Sequence, residues 1–333
     1  RDYGKKYQSE YANAFGERSS QNEKGVYLGL EFTPNHKFKI KGYADNYEFP
    51  WLRFGVDAPT KGNDYLLQAD YKISRAIKMY VRYKSETKEQ ELSESSAISG
   101  KRKDNFRFHI NYKEGENWSF ANRFETSLID FDNSYFNVYR KAVKNTAGAI
   151  IQPAVIVNSV NKVDFLKYGA FVQLSKRIMN ERMAISLGTR IDGNSLGNSE
   201  ANPFKQFSPR LSISYASTSK TNLNASIGRY HKLPAYTQLA YSNPMQAVNS
   251  NPGKYISSMH YVAGIEHLPS SSLRFTLEGF YKGYSNYPIS LLDGVSLANK
   301  GTEFGSIGNE PISQAGKGKA YGIEFLAQKK LTK

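Results

Sequence analysis

The sequence contains no cysteine, which removes disulfide frameworks, thiolate metal sites and cysteine nucleophiles from consideration. It also lacks any apolar run near the roughly 18 to 20 residues of a membrane helix. The longest candidate is AIIQPAVIV at 149–157. A membrane role would therefore have to use strands. Aliphatic core material is scarce, since hydrophobic residues make up only 39% of the 333 positions. No methionine or apolar leader precedes Arg1, so the chain reads as a processed product or an excised piece.

Aromatic residues and positive charge are present in its place. Tyr (24) and Phe (19) bring aromatics to 14%, a composition suited to half-buried pleated surfaces. The net charge of +15 admits nucleic acid, anionic lipid headgroups or acidic solutes as partners. Its placement decides: the cations follow the polar face of nearly every ribbon and form no single patch, which argues against nucleic acid.

The ribbons are numerous. In 181–191, Met183, Ile185, Leu187 and Ile191 alternate with Ala184, Ser186, Gly188 and Arg190. Residues 26–33 place Val26, Leu28, Leu30 and Phe32 on one face, and 106–113 oppose Phe106, Phe108, Ile110 and Tyr112 to Arg107, His109, Asn111 and Lys113. Similar runs fall at 36–45, 64–73, 75–84, 104–113, 116–128, 165–176, 208–217, 220–230, 259–267, 271–284 and 319–330, with a weaker one near Tyr3, Tyr7 and Tyr11. The pattern predicts about fourteen strands and no amphipathic helix.

The connections alternate strictly in length. Short links such as Ser74-Arg75, Met179-Asn180 and Thr218-Ser219 make hairpins, and long ones at 46–63, 85–103, 129–164, 192–207, 231–258 and 285–318 join the hairpins. In an antiparallel sheet this puts every short turn at one end and every long loop at the other, the asymmetry of an outer-membrane barrel. A charge facing lipid near the midplane costs roughly 2–4 kcal/mol, so the charged faces should line a wet, basic lumen. Glu31, Asp70, Glu125, Glu278 and Glu324 would offset it in part, and Phe165, Tyr230 and Tyr281 are candidates for interfacial girdles or lumen fillers. A soluble β-sandwich also alternates, but its turns lack this two-class length order.

Several motifs resemble chemical sites without their context. GNSLG at 193–197 fits a nucleophile elbow but lies between two strands, with no helix to follow. GKGKAYG at 316–322 reads as a flexible loop entering a strand. His36, His109, His231, His260 and His267 lack metal-ligand spacing, and Asp130 and Asp132 read as carboxylates in a solvated loop. The expectation is no catalytic residue, no metal and no cofactor.

The segments KYGAFVQLSKRI (167–178), TRIDGNSLGN (189–198), FKQFSPRLSISYA (204–216), SIGRYHKLPAYTQLAY (226–241), HYVAGIEHLPSSSLRFTLEGFYKGYSNYP (260–288) and GKAYGIEFLAQKKL (318–331) resemble consecutive barrel segments of TonB-dependent receptors of the Bacteroidetes type. The resemblance covers about residues 138–333. It implies a 22-stranded barrel with an N-terminal plug, moving a bound solute with energy delivered by TonB. Residues 1–137, through QNEKGVYLGLEFTP and YVRYKSETKEQE, more closely resemble the barrel of a different Bacteroidetes outer-membrane protein, so a composite of two parts, 1–137 and 138–333, is one reading. Three features depart from the receptor pattern: no plug or TonB box precedes the strands, about fourteen strands fall short of 22, and no terminal aromatic strand closes the chain.

The sequence thus predicts an all-β, antiparallel transmembrane β-barrel or barrel fragment in a bacterial outer membrane, without enzymatic activity. TonB-dependent uptake of a solute leads; a passive pore and a structural or accessory subunit of a larger outer-membrane complex are the alternatives. Lipid, lipopolysaccharide, the TonB system and a surface lipoprotein are the expected partners. Candidate ligand-binding residues are Trp51 and Arg53 in one long loop and His231, Tyr236 and Tyr241 in another, where rings would stack on a solute and cations hold its anionic groups.

Overall fold

The computed structural model describes residues 23–51, 56, 58–91, 98–115, 117–140, 143–144, 150–152, 155–241, 253–300 and 310–330. Its strands are β1 (Lys24–Asn35), β2 (Phe38–Phe49), β3 (Thr60–Lys72), β4 (Ile77–Glu91), β5 (Ile98–Glu114), β6 (Trp118–Arg140), β7 (Val143–Lys144), β8 (Ile150–Gln152), β9 (Val155–Ile178), β10 (Met183–Asn194), β11 (Ser208–Thr218), β12 (Thr221–Lys232), β13 (Ile256–Ser270), β14 (Leu273–Ser290) and β15 (Ile312–Lys329). One helical turn, α1 (Tyr236–Ala240), lies between β12 and β13.

Thirteen strands form one antiparallel sheet in chain order, from β1 through β6 to β9 and on to β15, while β7 and β8 make a separate small hairpin. Every ribbon from 26–33 onward is a strand of that sheet; the one near Tyr3, Tyr7 and Tyr11 lies outside the described residues. Among the described residues β1 and β15 do not pair with each other, so the sheet is a barrel wall with two edges. The expected division after residue 137 falls inside β6, which pairs with β9 from Trp118 to Arg140.

The short turns are closed by side chains. Asn35 Oδ1 accepts from the amides of Lys37 and Phe38 at 2.9 Å each, and Ser74 Oγ accepts from those of Ala76 and Ile77 at 3.2 and 3.1 Å. Between β9 and β10, Met179, Asn180 and Glu181 all take positive φ (56°, 54° and 66°). The next residue, Arg182, anchors this turn by donating to the carbonyls of Ala216 and Ser217.

The strands run past the ends that their hydropathy suggests. The loop read as 85–103 shrinks to 92–97, and that read as 129–164 shrinks to 141–154, because β4 and β5 remain paired to Glu91 and Ile98 and β6 and β9 to Arg140 and Val155. The register there sets polar residues opposite one another, as at Glu86 and Lys103, so backbone pairing continues through stretches that no apolar face marks. Asp130 and Asp132 accordingly sit in β6 and not in a loop: Asp132 accepts from Ser99 at 2.6 Å and Asp130 faces Lys162 at 3.6 Å. Residues 316–318 are likewise inside β15.

The two faces differ as alternation requires. Leu28, Leu67, Leu187 and Ile323 project from the outer face at 71, 58, 55 and 79% exposure, the placement of side chains that meet hydrocarbon. Tyr261 and Tyr281 pair across that face with ring centroids 6.3 Å apart, and Phe275 stacks near Phe325 at 6.3 Å. At the short-turn end, Lys176 Nζ sits 4.3 Å above the Trp118 ring, an amphipathic pair suited to the interface. Of the three girdle candidates only Tyr281 turns outward. Phe165 is buried in the lumen, and Tyr230 packs there against His260 at 4.5 Å.

Candidate functional site

The inner face carries a ladder of ion pairs between neighbouring strands. Lys39 meets Glu31 at 2.5 Å, Lys41 meets Asp70 at 3.4 Å, Lys84 meets Asp64 at 3.0 Å and Arg107 meets Glu125 at 3.1 Å. Each partner lies on the strand next to the other and on the same face, where alternation in the sequence puts it. The strongest pair is local. Arg190 and Asp192, two residues apart on β10, make a two-pronged contact, Nε to Oδ2 at 2.7 Å and Nη2 to Oδ1 at 2.6 Å.

That pair depends on a glycine across the strand. Gly169 of β9 lies directly opposite Asp192, and a Cβ there would come within 2.6 Å of Asp192 Oδ1 and 3.0 Å of Arg190 Nη2. Only a residue without a side chain lets the pair lie flat on the wall.

Above this row the wall becomes apolar and is covered from the loop side. Ile129 and Phe131 of β6 and Val163 and Phe165 of β9 form a buried cluster with Leu233, Leu239 and Tyr255 from the connection between β12 and β13. Leu196 and Tyr236 pack on its margin. Tyr236 stacks on Phe131 (5.7 Å, 29°) and meets Phe165 edge-on (5.7 Å, 81°). Lys101 of β5 places its ammonium 5.3 Å from the Phe131 ring and 5.1 Å from the Tyr236 ring. The described residues of the β12–β13 connection, 233–241 and 253–255, therefore fold inward over the lumen as a cap. Burial pushes the Tyr236 and Tyr255 hydroxyls above the ordinary phenol range, so both remain neutral.

Asn194 pins the cap to the top of β10. It is fully buried, donates to the Gly253 carbonyl at 3.0 Å and accepts from the Leu196 amide at 3.0 Å. Gly253 approaches so closely that a Cβ would stand 2.6 Å from Asn194 Oδ1. A second connection, after β14, is pinned by Lys300, which reaches Asp293 at 2.8 Å and Glu310 at 2.9 Å while Ser290 donates to Glu310. Burial alone would lower the Lys300 pKa, but its two carboxylate partners outweigh that and raise it. The same hydrogen bond to Lys300 holds Asp293 below the usual carboxylate range.

The five residues singled out in the sequence fall into separate places. Trp51 stands 70% exposed on the β2–β3 connection, and Arg53 lies outside the described residues. His231, at the end of β12, shares a hydrogen bond of 2.8 Å with Ser208; Tyr236 packs against the cap cluster and Tyr241 is buried. Seven strands of the sheet separate the strand leading to Trp51 from β12. Ser195 of GNSLG is tied into the β9 edge, accepting from the Leu166 amide and donating its own amide to the Leu166 carbonyl at 2.9 Å each, a structural role.

The family profile described as "TonB dependent receptor-like, beta-barrel" matches residues 2–331. The chain belongs to the TonB-dependent receptor-like β-barrel family. This outer-membrane family membership spans residue 137 in one match. No curated protein matches the sequence. Among solved structures, this receptor-like barrel is similar to a mutant of the ferric enterobactin receptor PfeA from Pseudomonas aeruginosa in complex with enterobactin (TM-score 0.61, 15% identity, 91% of this chain and 49% of that one). It is also similar to the siderophore receptor PirA from Acinetobacter baumannii (0.60, 13%, 92% and 50%) and to the copper transporter OprC (0.63, 13%, 93% and 50%). At these identities the likeness is one of fold. The chain spans about half the length of these solved chains.

Proposed function

We propose that this chain forms the barrel wall of an outer-membrane transporter that takes up a solute with energy from TonB, without chemistry on the solute. The observation that carries the reading is the receptor-barrel match over residues 2–331, and a lumen wall of paired charges under an inward-folded loop supports it. Long loops capture the solute and the lumen wall guides it; the charged pairs offer it hydrogen-bonding groups along the path. In this reading Trp51 and Arg53 meet the solute at the rim, His231 lies on its way in, and Tyr236 and Tyr241 shape the cap that borders its path. Partners are the TonB system, lipopolysaccharide around the outer face and a surface lipoprotein over the loops.

The structural neighbours carry ferric enterobactin and copper in their names, and both serve as first probes. In a Gram-negative host stripped of its own receptors, the intact protein should accumulate one labelled probe only while TonB is present. Equal accumulation without TonB would replace this reading with the passive pore. Purification only as a fixed part of a multi-chain complex, with no uptake, would replace it with the accessory subunit.

A further inference from the structure

The two halves of the lower lumen differ in chemistry. On the β9–β13 side a cavity of about 840 Å³ is rich in small polar side chains, including Ser175, Ser186, Ser212, Ser214 and Ser226, with Lys113, Lys176, Arg177 and Glu278 also in its lining. On the β2–β5 side a cavity of about 440 Å³ is lined by Lys37, Lys39, Lys72 and Lys78 set among aromatic and apolar side chains, with Asp70 the single carboxylate among its lining residues. Of these cations, Lys39 is engaged by Glu31, and Asp70 is engaged by Lys41. Lys37, Lys72 and Lys78 have no ion-pair partner among the described residues.

The register makes this an expensive arrangement for an empty wall. Lys72 and Lys78 stand directly opposite each other on β3 and β4, a like-charge pair that destabilises a sheet unless something bridges it. One row further in, His109 of β5 faces Arg123 of β6, and both present a buried nitrogen, His109 Nδ1 and Arg123 Nε, without a hydrogen-bond partner. Arg82 and Arg107 are opposed on the row above, where Glu125 pairs with Arg107 and Gln68 accepts from Arg82 at 2.6 Å. Two rows, Lys72–Lys78 and Arg82–Arg107, therefore oppose like charges on adjacent strands, and the first of them lines a cavity with room for a small molecule.

We propose that this cavity is a binding site for a small, multiply charged oxyanion, a phosphate- or polycarboxylate-bearing solute, held by Lys72 and Lys78 and flanked by His109 and Arg123. The anion screens the Lys72–Lys78 repulsion and supplies an acceptor for the orphaned Arg123 Nε–H. The site rests on the lumen assignment given above and names the solute class that the basic side of the wall favours. Its position near the short turns makes it a late station on the path.

Equilibrium dialysis of labelled inorganic phosphate and pyrophosphate against the intact protein in detergent micelles, at low salt, tests it. Saturable binding is expected, tighter for pyrophosphate, and at least tenfold weaker in a Lys72→Gln/Lys78→Gln variant. Lys176→Gln removes one charge from the same end of the sheet but away from this cavity, which matches the single variant Lys78→Gln in charge, and should leave binding within twofold. The single variant Lys78→Gln, with strand content checked by circular dichroism, keeps the comparison valid if the double variant folds poorly. Absence of saturable binding in the unaltered protein, or equal weakening by Lys176→Gln, overturns the proposal. Neither result touches TonB-dependent uptake, which is measured in cells.

Discussion

Truncating Tyr236 to alanine should release the cap that the β12–β13 connection lays over the lumen. The ring is half-buried, stacks on Phe131, meets Phe165 edge-on and shares the Lys101 ammonium. Each aromatic pair is worth roughly 0.5–1.5 kcal/mol and a partly exposed cation–π contact about 0.5–1 kcal/mol. Lys101 keeps its contact with Phe131, at 5.3 Å, which lowers the total. The cap should therefore lose about 2–3 kcal/mol of local stability, a rise in opening of roughly 30- to 140-fold at about 1.4 kcal/mol per tenfold. Hydrogen exchange read by mass spectrometry on peptides covering 233–241 and 253–256 measures this directly. Protection should fall by that factor there while β9 and β10 keep theirs. Unchanged exchange in the cap, or an equal loss throughout the sheet, would refute the reasoning.

Three further outcomes follow from the same geometry. Gly169→Ala should push Asp192 off the wall and cost about 1–3 kcal/mol by thermal unfolding, although alanine in a strand is otherwise the more favourable residue; an unchanged or raised midpoint would contradict the close approach. The pin at Asp293, Lys300 and Glu310 should hold at neutral pH and fail at both extremes. Asp293 has a depressed pKa, so its contribution is present above the ordinary carboxylate value near 3.9 and is lost as pH falls through the lower folded value. Lys300 has a raised pKa, so its contribution is present below the ordinary value near 10.4 and is lost as pH rises through the higher folded one. Limited proteolysis of the β14–β15 connection across pH reads both limits, and cleavage independent of pH would exclude the pin. Leu187→Arg should cost roughly 2–4 kcal/mol in folding into lipid, whereas Ser186→Arg on the adjacent inner position should cost under 1 kcal/mol; similar costs would mean the faces are misassigned.

Strand identity was legible because period-two alternation reports a wall with hydrocarbon on one side and water on the other. Leu187 and Ser186 show it in two adjacent letters. Strand ends were less legible, since beyond the apolar band the backbone pairing continues between polar residues such as Glu86 and Lys103, which leave no hydropathy signal. The cap was the hardest part to read. Phe131 and Phe165 look like any aromatic at a strand end, and only the inward fold of Leu233, Leu239 and Tyr255 turns them into a core. The Arg190–Asp192 pair was within reach, because R-x-D on one strand puts both groups on one face, but its dependence on Gly169 is a contact between strands that spacing does not encode.

The central claim, that this sheet is a membrane-spanning wall with its charged face in water, is most directly tested by fluorescence quenching. The chain has no cysteine, so Leu187→Cys and Ser186→Cys each give one labelling site for a small fluorophore. In lipid vesicles the label at 187 should be quenched by a doxyl-lipid and spared by iodide, and the label at 186 should show the reverse. Equal response of both positions to both quenchers, or the opposite pattern, would contradict the account.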